Sequence, residues 1–172
     1  MNPIIKNMYE EFFEKNPYVS KLVAMDVECT DFSNQARIIE IGAAGFEYDG
    51  LDLKYIEFNS LVNPYMPIPP KVMELTGITD EMVESAPDDI EVFTNFENWL
   101  DGTKIIPMHN SKFDTRILRH NFCRVGMNFN QWEQKIRCTL ELSKAAKLPI
   151  TSMKLGEVAN HFGYKNARLR RF

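Results

Sequence analysis

Val23-Ala24-Met25-Asp26-Val27-Glu28-Cys29-Thr30 opens as an apolar strand and closes on acids. The run from Leu22 to Val27 has the length and valine content of a buried strand, and the polar Glu28-Cys29-Thr30-Asp31 follows it. This strand therefore delivers carboxylates at its C-terminal end. Successive side chains of a strand alternate in direction, so Asp26 and Glu28 leave the same face. Two carboxylates held this close repel one another unless a proton or a divalent cation sits between them, and oxygen ligands suit Mg²⁺ or Mn²⁺ rather than zinc. On the tripeptide alone, a solvated strand end is the simpler explanation.

Working outward, residues 38–48 and 53–62 are two more strand-like runs, joined by the hairpin signal Asp49-Gly50. Three strands in this order predict a meander. Asn63-Pro64, Pro67, Pro69 and Pro70 then mark an ordered loop, followed by short helices at about 71–75 and 80–84. Ile90, Phe93, Phe96, Trp99 and Leu100 recur at helical spacing over residues 88–100 and stop at Asp101-Gly102. The apolar stretch Ile105-Ile106-Pro107-Met108 predicts a strand that feeds a helix over 111–125, and residues 136–139 predict a fifth strand, with helices at about 140–147 and 154–162. Strands first, then alternating helices and strands, imply an α/β fold with one mixed sheet. Asn2-Pro3 followed by Ile4, Ile5, Met8 and Phe12 predicts an N-capped helix with one apolar stripe. Residues 1–19 thus read as a helical extension to a domain spanning 20–172.

A chain of 172 residues fits one core. With 44% hydrophobic and 26% charged residues, the composition excludes disordered and collagen-like classes. Glu10, Glu11 and Glu14 interrupt the apolar N-terminal residues, against a signal peptide, and no apolar run reaches the ~18 residues of a membrane span, so no membrane partner is expected. Cys29, Cys123 and Cys138 show no C-x-x-C spacing, which argues against a disulfide framework or zinc site and makes a reducing cytoplasm the expected home. Net charge is −4, but it is uneven. Residues 80–101 carry acids and no Lys or Arg, whereas Lys144, Lys147, Lys154, Lys165, Arg168, Arg170 and Arg171 make the C-terminal stretch basic. That stretch suits a phosphate backbone, or simply a solvated face.

A further acid comes from another element. In His109-Asn110-Ser111-Lys112-Phe113-Asp114 a strand ends and a helix begins, with Ser111 three residues before Asp114 as in a capping box. Asp114 is then either a third acid of a site or a helix cap, and Asn110 either a pocket residue or a turn. His109 taken singly is more often a structural histidine than a ligand.

Taken together and in order, these segments resemble the DnaQ-like branch of the DEDD 3′–5′ exonuclease superfamily, from about Leu22 to Gly163. Asp26-Val27-Glu28-Cys29-Thr30 resembles its first motif, D-x-E-x-T, and Ile38-Ile39-Glu40-Ile41-Gly42-Ala43 resembles the strand after it. Asn63-Pro64, Ile68-Pro69, Leu75-Thr76-Gly77-Ile78-Thr79 and Ala86-Pro87 resemble the N-P…I-P…TGIT…AP segment, and His109–Asp114 resembles the second motif, H-N-A-x-F-D. The resemblance implies a ribonuclease H-like fold, a mixed five-stranded sheet flanked by helices. It also implies two-metal hydrolysis of phosphodiesters at the 3′ end of DNA or RNA with Mg²⁺ or Mn²⁺. Asp26 would bridge both ions, Glu28 would bind the one that activates water, and Asp114 would help hold the other. Val27, Thr30 and the turn Leu75-Thr76-Gly77 would lie at the terminal nucleotide, with His109, Asn110 and Phe113 shaping the pocket wall. Core packing accounts for Leu75 and Phe113 equally well. The implied partners are a single-stranded 3′ end and a polymerase or second subunit.

The third motif of that branch, H-x-x-x-x-D, brings the general base and a fourth carboxylate, and follows a segment that Gly163-Tyr164-Lys165-Asn166-Ala167 resembles. Here Arg168-Leu169-Arg170-Arg171-Phe172 follows instead, with neither His nor Asp. His120 and His161 fall on predicted helices where the branch carries no base. The expectation is a domain incomplete at its C-terminal helix and slow or inactive by itself. The alternative is a non-catalytic module of the same fold that binds nucleic acid or a protein partner.

Overall fold

In the computed structural model, which describes residues 3–164, the meander forms as the turn signals predict: β1 (Lys21–Cys29) runs antiparallel to β2 (Ile38–Tyr48), and β2 antiparallel to β3 (Leu53–Leu61). At the hairpin, Asp49 Oδ1 accepts the amides of Leu51 and Asp52, both at 2.9 Å, and Gly50 takes a φ of 97°, which only glycine adopts without strain. The next strands, β4 (Ile106–Met108) and β5 (Ile136–Cys138), pair in parallel, and a parallel bridge from Leu22 to Ile105 sets β4 beside β1. The three-stranded sheet and the β4-β5 pair thus adjoin along β1 and β4, giving the order β3-β2-β1-β4-β5 with β1 in the middle.

Alternation along β1 divides its residues. Val23, Met25, Val27 and Cys29 are buried, while Asp26 is exposed and Glu28 half-buried on the other face. The buried set packs on Phe93, Phe96 and Leu100 of α4 (Asp89–Leu100) and on Ile117, Leu118 and Phe122 of α5 (Ser111–Arg124). Phe93 and Phe122 stack with ring centres 4.4 Å apart, joining the two helices through a large buried aromatic contact. The proline-rich stretch leads into α2 (Pro70–Thr76) and α3 (Asp80–Glu84), which cover Ile39 with Ile68, Val72, Ile78 and Val83.

The N-terminal helix α1 (Pro3–Lys15) exists; of its expected stripe, Phe12 is half-buried and the side chains of Ile4 and Ile5 lie outside those described. Phe13 is buried and stacks on Tyr48, Tyr9 packs on Phe46, and Met8 is exposed. Tyr9 and Phe13 lie four apart on a helix, so they share a face that matches two residues on one face of β2. The expected cap, Asn2, lies outside the described residues. One turn, α6 (Asn130–Glu133), was not expected; it is anchored by Trp132, whose Nε1 donates to Glu97 Oε1 at 2.8 Å. Beyond β5 lie α7 (Thr139–Ala145) and α8 (Leu155–His161). Among the described residues, no helix is long and apolar enough to cross a membrane.

Candidate active site

The acid face of β1 meets β2 with Gly42 opposite Asp26 and Glu40 opposite Glu28. Gly42 puts no side chain beside Asp26. The third acid arrives from the first turn of α5: Asp114 is only 6% exposed. Burial, and after it the negative charge of Asp26 and then of Glu28, lifts its pKa from 3.8 to about 7. The Asp26 side chain is open to solvent, yet neighbouring atoms strip enough water from its carboxyl to push its pKa up as well. Two neighbouring acids of β1 and a third from a distant helix therefore act as one electrostatic unit.

That unit is not a closed cage: among the described residues, no group of three or more His, Cys, Asp or Glu could hold a metal ion as it stands. Its chemistry nonetheless fits hard divalent cations, because every donor is a carboxylate oxygen and an added positive charge relieves the repulsion that lifts Asp114.

The helix start differs from a capping box. Asn110 turns the chain in the left-handed region, φ 58° and ψ 41°, and its side chain makes no cap hydrogen bond. Helix α5 begins where predicted, but with Ser111 as its first residue rather than its cap. Asp114 falls at the fourth helical position, out of reach of the cap, and is left to the site.

His109 is a brace. Its Nε2 lies 2.9 Å from the Met153 carbonyl and its Nδ1 3.1 Å from Thr139 Oγ1, so a neutral ring donates to the first and accepts from the second. Both nitrogens tie the end of β4 to α7 and to the segment before α8.

The other expected substrate residues divide by exposure. Val27 is buried in the core. Thr30 is fully buried, with its Oγ1 accepting from Arg37 N at 3.0 Å and its own amide donating to Arg37 O at 2.9 Å, which closes the loop of residues 31–36. Thr76 is also buried, and its hydroxyl donates to Val72 O at 2.7 Å. These three stand behind the surface. In front of it are Leu75, 57% exposed and hence not a core residue, together with exposed Gly77 and Asn110. Gly77 ends α2 at φ 71°, donating to Met73 O at 2.7 Å. Phe113 is half-buried against the core.

Two polar anchors escaped the sequence reading. Asn121, fully enclosed on α5, donates to Ala36 O at 2.8 Å and to Ile117 O at 2.9 Å. A polar residue between Ile117, Leu118 and Phe122 was the signal available for it. Asp89 is buried against Arg124, with Arg37 3.9 Å away.

Burial, the largest cause, and the nearby charges of Glu28, Asp114 and Asp31 push the Cys29 thiol to about 11, whereas Cys123 is exposed. At pH 8 on the order of one Cys29 in a thousand is then thiolate. Peptide mapping after iodoacetamide treatment should show Cys123 modified at least about tenfold faster than Cys29, the difference vanishing in denaturant. Equal rates in the native chain would mean that the end of β1 is open.

The family model described as exonuclease matches residues 23–168. The DNA polymerase III PolC-type protein of Clostridium perfringens is 32% identical over 162 residues, which is 94% of this chain and 10% of that protein. The chain thus spans about a tenth of the length of the curated relatives it matches. Among solved structures, the nuclease domain of 3′hExo, a DEDDh family member bound to rAMP, superposes with a TM-score of 0.71 at 19% identity, covering 85% of this chain and 80% of that one. Exonuclease X in complex with 5′ overhanging duplex DNA gives 0.60 at 22% identity, covering 83% and 73%. These likenesses agree in fold with the sheet order derived above, and the family match runs from β1 to beyond α8: the chain belongs to the exonuclease family.

Proposed function

We propose that this chain is a metal-dependent 3′–5′ exonuclease domain that hydrolyses the terminal phosphodiester of a DNA or RNA strand. One observation carries the reading: Asp114 comes from a separate element to a buried position beside Asp26 and Glu28, where burial first and their charges second lift its carboxyl to about 7. Family membership supports it, as do the nucleotide and the DNA named in the complexes of 3′hExo and exonuclease X.

Two Mg²⁺ or Mn²⁺ ions, when bound, supply Lewis acidity to the attacking and leaving oxygens. Asp26 and Glu28 hold their share of that charge on the rigid central strand, and Asp114 closes the site from α5. Exposed Leu75, Gly77 and Asn110 and half-buried Phe113 would flank a frayed strand end, as the family resemblance implies. Thr30, Thr76 and His109 keep those surfaces in position. With both nitrogens engaged, His109 is not the general base. The stretch where the family resemblance puts that base, Arg168–Phe172, lies outside the described residues. The matched segment of the PolC-type relative sits within a polymerase chain about ten times longer, which supports a polymerase as the partner.

The test uses single-turnover conditions, chain in excess over a 5′-labelled single strand, with Mn²⁺ or with EDTA. The expected result, in keeping with a slow site, is a ladder that shortens slowly, one nucleotide at a time from the 3′ end, in Mn²⁺ alone. Binding without cleavage would favour the non-catalytic module, and cleavage in EDTA would remove the metal from the account.

A further inference from the structure

Past the acids of β1 the chain makes the loop of residues 31–36 before β2 begins. The Thr30–Arg37 pair closes its base, and Asp31 Oδ1 accepts the Ser33 amide inside it. Its tip is held from outside. Arg116 on α5 donates from Nη1 to Asn34 Oδ1 and from Nη2 to the Phe32 carbonyl, the latter at 3.0 Å. The same guanidinium lies 5.3 Å from the centre of the Phe113 ring. Phe113 and Arg116 are three apart and share a helix face. The Phe32 ring stands 5.7 Å from Phe113, yet Phe32 is 69% exposed.

An aromatic side chain left in water gains little from its own fold, and nothing in the loop's internal hydrogen bonds requires Phe32 to face outward. What fixes its place is Arg116, whose planar fork makes two bonds to one loop while its face rests on a ring. A ring so placed offers a flat face to a nucleobase.

We propose that Arg116 is a positioning residue: it clips the loop carrying Phe32 to the helix carrying Asp114, and so sets affinity for the strand end without taking part in bond cleavage. This deepens the exonuclease reading and rests on it. Arg116 acts through Phe32, so the two residues form one unit rather than two independent contacts.

A double-mutant cycle tests this. Anisotropy of a 5′-labelled single strand gives Kd, and single-turnover cleavage in Mn²⁺ gives the rate, for wild type, Arg116→Gln, Phe32→Ala, the double variant and Arg116→Lys. Arg116→Gln should raise Kd about five- to tenfold, the scale of one net hydrogen bond, with the cleavage rate at saturating chain within about twofold. In the Phe32→Ala background the same change should cost less than about twofold. Arg116→Lys should bind nearly as weakly as Arg116→Gln, because an ammonium cannot make the fork. Additive losses, or full rescue by Lys, would mean that Arg116 meets a phosphate directly and would overturn the clip. A drop in cleavage rate with Kd unchanged would overturn it too. The outcome that instead strikes the underlying reading is distinct: cleavage by Asp26→Ala at the wild-type rate, or no strand binding by wild type.

Discussion

Asp26→Ala is expected to slow mononucleotide release from a single strand by at least about 10³-fold while leaving the fold intact. The size follows from the work assigned to the site: metal-ion stabilisation of charge in the transition state is worth several kcal/mol, and each 1.4 kcal/mol is a factor of ten. The intact fold follows from alternation along β1. Asp26 faces solvent opposite Gly42, whereas Val23, Met25 and Val27 make the core from the other face. Removing the carboxylate therefore opens no cavity, and it takes away one of the charges that lift Asp114. Rates measured in Mn²⁺, beside melting curves in EDTA, separate the two effects. Loss of activity together with a collapse in melting temperature would point to a structural role, and unchanged activity would remove Asp26 from the chemistry.

The second large effect concerns stability and pH. Because the pKa of folded Asp114 is raised from 3.8 to about 7, the folded state binds that proton more tightly than the unfolded state does. In metal-free buffer this contribution is fully present below pH ~4 and is lost as pH climbs through about 7. At pH 8 an ionised Asp114 costs on the order of 4 kcal/mol, at about 1.4 kcal/mol per pKa unit. Asp114→Asn should therefore raise the melting temperature at pH 8 in EDTA, by up to about 10 °C, and have little effect at pH 4. The wild type should recover the difference when a divalent cation is added, and the variant should not. A variant destabilised equally at both pH values would show that the Asp114 carboxylate is a net structural asset rather than a held charge.

The parts of this fold that could be read in the sequence are those where one pattern dominates. The meander was legible because β1, β2 and β3 are apolar runs separated by an unambiguous turn at Asp49-Gly50. The shared face of Asp26 and Glu28 follows from strand geometry alone, and the single mixed sheet from the succession of elements; that β4 lies beside β1 was learned only from the Leu22–Ile105 bridge. Caps set by a single residue were not legible. Helix α5 starts at Ser111, as its sequence predicts, but its cap is Asn110 in a left-handed turn, and this leaves Asp114 beyond the reach of the cap. The hydroxyls of Thr30 and Thr76 could equally have met a substrate or the backbone, and burial spent them on Arg37 and Val72. The stripe of α1 depended on where Phe46 and Tyr48 of β2 would stand, information no helical period contains. Arg116 is plain in the sequence as one more charge on a helix, and its meaning comes from a loop eighty residues away.

The central claim is that Asp26, Glu28 and Asp114 together hold a divalent cation, and thermal unfolding titrated with Mn²⁺ or Mg²⁺ at pH 7.5 tests it without any need for turnover. An ion that binds only the folded chain raises its stability by about 2.7 kcal/mol at one hundred times Kd. The wild type should show a melting temperature that climbs with ion concentration, and Asp26→Ala and Asp114→Asn should stay flat over the same range. Equal responses in wild type and Asp26→Ala would contradict the account.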